Sequence, residues 1–299
     1  MPQFLLSIGQ RIIGLLWMLL RHPLLISKAN TKGNRIINQR KKDIELPYKI
    51  PEYKADMFYK KSFEKYLRKV RLCECDAPEI IAMANELGAG KLSDRVFAEN
   101  VFNFVKNNIR TRNVPVLGAV ETLKRGYGSC FDSAGLFITL CRSGGVKARY
   151  KIYLHREPPE GITTLTEVVD EKLLDAAAVM AAFYTLAEVN IGGQWLECEV
   201  DSPPELDAYW NVPIAHFGEK VGTVKGWIPH DVVYLEKLPL RIFLPTNIMM
   251  RLLKGILEGS IADVTDKEYE IGKKKLEEIG KKEYDKKARR QYGFLPPLD

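Results

Sequence analysis

Histidine is scarce in this chain, with four in 299 residues. His22, His155, His216 and His230 stand apart from one another, and none shares a metal-ligand spacing with cysteine. Cysteine is also sparse: five residues is an odd number, and their spacing makes no disulfide framework for a chain of this length. That usage fits a reducing, cytoplasmic compartment. Cys73 and Cys75 could form half of a metal site, but no second pair completes it, so no metal is expected. Phosphate-binding and dinucleotide-binding glycine loops, a zinc-protease helix and internal repeats are all missing, which excludes those classes and leaves no expected cofactor. Long apolar runs are missing too. The best, Ile12 to Leu20, falls short of the roughly 18–20 residues that a membrane-spanning helix needs, and Gln10-Arg11 would have to lie in hydrocarbon. No positive charge precedes that run and no clean small-residue cleavage site follows it, so it makes a poor secretory signal; an organellar transit peptide fits its composition better but not its few serines.

Acidic residues are wholly absent from the first 42 positions, which carry Arg11, Arg21, Lys28, Lys32, Arg35, Arg40, Lys41 and Lys42. This one stretch outweighs the formal net charge of +7. The body from Asp43 to Asp266 is therefore mildly acidic, and Lys267 to Arg290 is basic again. A basic nucleic-acid-binding body is excluded; polyanions, whether lipid head groups or nucleic acid, would be met by the termini. Polar and small residues Gln3, Ser7, Gln10, Arg11, Gly14, Met18 and Arg21 fall on one helical stripe with apolar residues around the rest. Residues 1–27 read as an amphipathic apolar helix that lies in a membrane interface or against a protein surface, and residues 28–55 as a basic linker.

What the chain does have is a cysteine at a helix start. In Gly128 to Tyr150, GSCFDSAGLFITLCRSGGVKARY, Cys130 follows Gly126, Gly128 and Ser129, which suit a tight loop. Ala134, Phe137, Ile138, Cys141 and Val146 then form a core-facing side. A thiol at that position sits at the positive end of the helix dipole among unpaired N–H groups, which favour a thiolate and could hold an oxyanion. Cys141, about three turns on, reads as a core thiol, and Cys198 as a strand residue.

Gly-x-Cys-x-Asp-x-Ala-x-Leu, followed by Leu-x-Arg-x-x-Gly-Val-x-Ala-Arg-Tyr, resembles the cysteine motif of the transglutaminase-like superfamily, which is related to papain-type folds. The resemblance implies an α+β fold in which the cysteine helix packs on an antiparallel sheet, with a histidine and an aspartate on neighbouring strands. The family's histidine motif reads His-x-Trp-x-Glu-Val, and a Gly-x-Trp turn precedes its aspartate. Glu188, Val189, the Gly192-Gly193 turn, Trp195 and Asp201 match. Tyr184 stands at the histidine position and Leu186 at the tryptophan. The implied site is thus Cys130, Tyr184 and Asp201. A phenol with a pKa near ~10 stays protonated at neutral pH and cannot readily take a thiol's proton; losing a general base costs about 10²–10⁴ in rate. His230, opening the alternating run to Glu236, and His155, after the cysteine helix, are the histidines that could substitute.

The transglutaminase-like domain is expected over residues 56–240, with a helical C-terminal extension over 241–299. Helices are expected around Phe63 to Val70, at Ala77 to Leu87 and at Ser93 to Ile109, the last with Val96, Phe97, Val101, Phe102 and Val105 inward. Thr166 to Ala182 reads as an inserted helix. Pro245-Thr246-Asn247 is expected to cap a helix with Ile248, Met249, Leu252, Leu253, Ile256 and Leu257 on one face. Thr265 to Glu268 reads as a capping box starting a charged helix whose seam is Tyr269, Leu276 and Ile279. Two functions follow. One is a catalytically degenerate domain used for binding or assembly, held to a membrane surface, peripherally, or to neighbouring subunits through residues 1–42 and 246–290; a virion component fits this as well as a cellular one. The other is a cysteine enzyme hydrolysing or transferring acyl groups of a protein or peptide through Cys130.

Overall fold

A computed structural model describes Trp17 and residues 20–39, 46–154, 183–220 and 231–293. Residues 1–16, 18 and 19 of the helix expected at 1–27, the whole of the helix expected at 166–182, His155 and His230 lie outside the described residues. The centre of the molecule is helix α5, Cys130–Ser143, preceded in chain order by α1 (Pro23–Gln39), α2 (Pro78–Glu86), α3 (Asp94–Asn108) and α4 (Ala119–Arg125). Every residue of α5 from Asp132 to Ser143 is buried. Small residues make this close approach possible. At Gly135 a Cβ would come within 2.8 Å of the Tyr150 hydroxyl, and at Gly144, just past the helix, within 2.2 Å of the Phe97 ring.

Two short parallel strands, β1 (Arg110–Thr111) and β2 (Tyr127–Gly128), lead the chain into α5. Beyond it, β3 (Ala148–Leu154), β4 (Phe183–Ile191), β5 (Gln194–Cys198) and β6 (Asp231–Leu235) form an antiparallel sheet in the order β5-β4-β3-β6. Alternation along the strands sorts their residues. Ala148, Tyr150, Ile152, Ala187, Val189 and Cys198 join the main core with Ala134, Phe137, Ile138, Cys141 and Val146 of the α5 segment. Tyr153, Tyr184 and Leu186 cluster on the opposite sheet face. The architecture is the expected α+β arrangement of a cysteine helix on an antiparallel sheet.

After β5 come α6 (Pro204–Tyr209), α7 (Leu240–Leu252), a π-helical segment (Gly255–Ile261), α8 (Ala262–Ile279) and α9 (Lys281–Gln291). These helices pack on the body rather than trailing from it. Gly272 of α8 presses so closely on α6 that a Cβ there would meet the Glu205 carbonyl at 1.7 Å. From α9, Arg289 binds Asp285 at 2.7 Å, Glu219 at 2.8 Å and the Ile214 carbonyl at 2.9 Å. In α1, Lys28 to Gln39, read from sequence as the start of a linker, are helical.

Several expectations need correction. Residues 63–70 are not helical: Tyr66 takes a φ of 71°, and its N–H and the Arg68 guanidinium bind Glu236, so tertiary bonds override the apolar spacing. Val96 is exposed on α3, while Phe97, Val101, Phe102 and Val105 are buried. Helix α7 starts at Leu240 and runs through Pro245. Asn247 is no cap, because its carboxamide bonds both the N–H and the carbonyl of Val116 at 2.8 Å. Ile248 and Leu252 face outward while Met249, Leu253, Ile256 and Leu257 are buried. Nor does a helix begin at Thr265, whose hydroxyl returns to the Ile261 carbonyl inside a continuous helical run.

Candidate active site

Cys130 is the first residue of α5, and Ser129 is its N-cap. A capping box fixes that start. The Asp132 carboxylate accepts from the Ser129 N–H at 3.0 Å and from its hydroxyl at 2.8 Å, and the Arg125 guanidinium lies 3.3 Å away. Burial pushes the Asp132 carboxyl above its usual value, against the pull of Arg125 and the Ser129 N–H. Ser129-x-x-Asp132 is a cap signature legible in the sequence. Gly126, with a φ of 71°, makes the turn that brings the chain from α4 into β2.

The Cys130 residue is half-buried, but its thiol is enclosed. Burial first, and then the negative charge of Asp201, push it up to about 12, well away from an activated nucleophile. Thr185, whose buried hydroxyl has no hydrogen-bond partner among the described residues, pulls the other way. Thr185 belongs to the same sheet face as Ala187 and Val189, toward α5. Its part in the site was not read from sequence, because period-two alternation alone does not say which set of β4 side chains meets the helix.

Tyr184 and Asp201 do come together. The phenol donates to Asp201 Oδ1 at 2.9 Å, and both side chains are buried. Burial and the neighbouring carboxylate raise the Tyr184 hydroxyl well above its usual value. Asp201 is anchored in turn, since its carbonyl accepts from the Thr111 hydroxyl of β1. Asp201 thus acts on both groups, bonding the phenol and disfavouring the thiolate. The same sheet face continues in ionic pairs: Lys151 Nζ sits 2.5 Å from Glu197, Tyr153 donates to Glu197 at 2.9 Å, and Arg149 pairs with Glu188 at 2.7 Å.

Of the two described histidines, His216 is bonded to Asp285 at 2.9 Å, and His22 stands just before α1. Cys73, Cys75, Cys141 and Cys198 are buried free thiols, and Cys73 Sγ lies 3.4 Å from the Tyr150 hydroxyl. Among the described residues no group of three or more histidine, cysteine, aspartate or glutamate side chains is placed to hold a metal ion.

Residues 81–200 match the family model of the transglutaminase-like superfamily. They form a transglutaminase-like domain. Its matched range holds Cys130 and Tyr184 and ends one residue before Asp201. No curated protein matches the sequence. Among solved structures, the chain is similar to the "Putative Cysteine Protease" of Cytophaga hutchinsonii, with 17% identity and a TM-score of 0.34 over 56% of this chain and 45% of that one. It is also similar to the "Putative Protease" of Parabacteroides distasonis, with 17% identity and a TM-score of 0.31 over 46% of this chain and 26% of that one. The chain spans less than half of either solved protein. The thiol thus stands at the start of a helix within the transglutaminase-like domain, and the Asp201 carboxylate, just beyond the matched range, accepts a hydrogen bond from the Tyr184 phenol.

Proposed function

We propose that the transglutaminase-like domain is catalytically degenerate and serves as a binding or assembly module, at a membrane or within a larger complex. The observation that carries this reading is the 2.9 Å hydrogen bond from Tyr184 to Asp201. In a cysteine enzyme of this kind a carboxylate orients an imidazole, and the imidazole takes the thiol's proton. Here the carboxylate accepts from a hydroxyl that holds its own proton more firmly than a free phenol does. The thiol, pushed up to about 12, agrees with that arrangement.

The test is the rate of iodoacetamide alkylation of Cys130 against pH, on the full chain with Cys130→Ser as the control for the four buried thiols. The degenerate reading expects an apparent thiol pKa above the free value of about 8.5. A value near or below about 7 would sink it. That outcome would favour the second reading, an acyl-Cys130 peptidase, amidase or transferase, for which Thr185 beside the thiol is the supporting feature, since it pulls the thiol downward.

A further inference from the structure

Helix α7 has two unlike faces. One is docked: Phe243 enters the main core, Met249 and Met250 are buried, and Asn247 is clamped to the Val116 backbone. On the other, Leu240, Leu244, Ile248 and Leu252 recur every four residues and are each 47–56% exposed. Four large apolar side chains in one row on water form a coherent patch, unlike the scattered exposed residues that need no explanation.

Helix α1 runs beside this element in the same direction. Asn30 donates to the Leu252 carbonyl at 2.6 Å and accepts from the Ile256 N–H at 3.1 Å, which fills the break between α7 and the π-helical segment. One turn on, Gly33 lies against Gly255 and Gly259, where added Cβ atoms would meet backbone at 1.7–2.2 Å. The contacts advance together along both elements, so the N-terminal end of α1 points toward α7. At that end Leu20 and Leu24 are 80% and 85% exposed, and Trp17 is exposed with the Arg21 guanidinium 4.1 Å from its ring centroid.

Charge identifies the occupant. Residues 1–42 hold no acid, and neither does the stretch from Lys237 to Leu257, which holds Arg241, Arg251 and Lys254 besides Lys237. Arg21, Lys28, Lys32, Arg35, Arg251 and Lys254 are exposed. Exposed leucines and a tryptophan flanked mainly by basic residues, with half-buried Glu258 beside Lys254, suit the interface of an anionic bilayer, with the apolar row among the acyl chains and the cations at the head groups. No described helix is long and apolar enough to cross a membrane. We infer that the outer face of α7 and the N-terminal end of α1, locked together at Gly33 and Gly255, form one peripheral docking surface for anionic lipid. This names a partner surface for the domain and holds whether or not Cys130 is catalytic, so the alkylation experiment and the one below fail separately.

Flotation of the full chain with phosphatidylcholine vesicles, with and without phosphatidylserine, tests the inference. The intact chain is expected to float with the phosphatidylserine vesicles, less so in high salt. Leu244→Asp with Ile248→Asp should lower the bound fraction by about tenfold or more, because two apolar anchors are lost and two negative charges gained. Both substitutions are on an exposed face, and circular dichroism of the variant should match the parent. No flotation of the intact chain with either vesicle overturns the inference. So does undiminished flotation of the variant, which would leave binding to residues 1–22 alone. A dimer of the intact chain that the variant abolishes, without lipid binding, would assign the face to a second copy and overturn it equally.

Discussion

At the scale of single residues, the candidate site is governed by which groups hold protons. Tyr184 is a donor to Asp201, and its removal should be felt in stability rather than in thiol chemistry. Tyr184→Phe leaves the buried Asp201 carboxylate short of a donor and should cost about 1–3 kcal/mol in urea unfolding, with the alkylation profile of Cys130 unchanged. A variant that slowed alkylation would mean that the phenol helps to activate the sulfur. Asp132 has a different task. It satisfies the Ser129 N–H and hydroxyl at the head of α5 and faces Arg125. Asp132→Ala should therefore destabilise by about 2–4 kcal/mol, the sum of a lost cap and orphaned buried donors, measured in the same way. Cys130 at the helix start was legible because glycines, a serine and then apolar residues at helical spacing have one common solution. The juxtaposition of Tyr184 with Asp201 was legible because both fall at motif positions, one on β4 and the other just after β5. Thr185 was not, since its place against the sulfur depends on which face of β4 the helix covers.

At the scale of elements, local pattern succeeded where burial followed it. The expected helices at Ala77 to Leu87 and Ser93 to Ile109 are α2 and α3, because their apolar faces meet α5. Pattern failed at Phe63 to Val70, where Glu236 and the fully buried Arg142 tie up the backbone: Glu236 bonds the Tyr66 N–H, and Arg142 donates to the Arg68 carbonyl. It failed again at Asn247 and Thr265, whose side chains bond groups that sequence spacing does not reveal. The α1 crossing was equally hidden, for Gly33, Gly255 and Gly259 have meaning only once their backbones touch. That contact has a sharp consequence. In Gly33→Ala the new methyl would overlap the Gly255 carbonyl, with a cost of about 1–3 kcal/mol for the overpacking. Helix α1 should then part from the π-helical segment and fray, so that trypsin cuts faster after Lys28, Lys32 and Arg35, whose side chains are already exposed. Cleavage at those residues as slow as in the parent chain would show that the crossing can relax.

At the scale of the whole molecule, the C-terminal helix is held by ions to the segment that follows α6, and so its attachment should depend on pH. Asp285 of α9 accepts from the Ile214 N–H at 2.9 Å and from Arg289 at 2.7 Å, and faces His216 at 2.9 Å. Burial works to raise its carboxyl, but the bonds from His216 and Arg289 outweigh that and hold it below the usual value of 3.8. A carboxyl lowered in the folded state stabilises fully above its unfolded pKa of about 3.9, and the contribution is lost as the pH falls through the folded value. Glu236 is also lowered, because Arg68 and the Tyr66 N–H outweigh its burial, and it acts in the same direction. Asp132 is raised by burial and acts in the opposite direction, disfavouring the fold as the pH climbs past its unfolded value. The Asp285 part can be isolated with Asp285→Asn. At neutral pH this variant should lose about 1–3 kcal/mol, because Arg289 and the Ile214 N–H lose a charged acceptor while Glu219 still pairs with the guanidinium. As the pH falls below about 3.9 and on through the lowered folded value, the parent progressively forfeits the same interaction by protonation, so the melting temperatures of variant and parent should draw together over that range. A gap between them that stays constant from neutral pH down into that acid range would mean that packing of Tyr284 and Ala288, rather than the Asp285 charge, holds α9 in place.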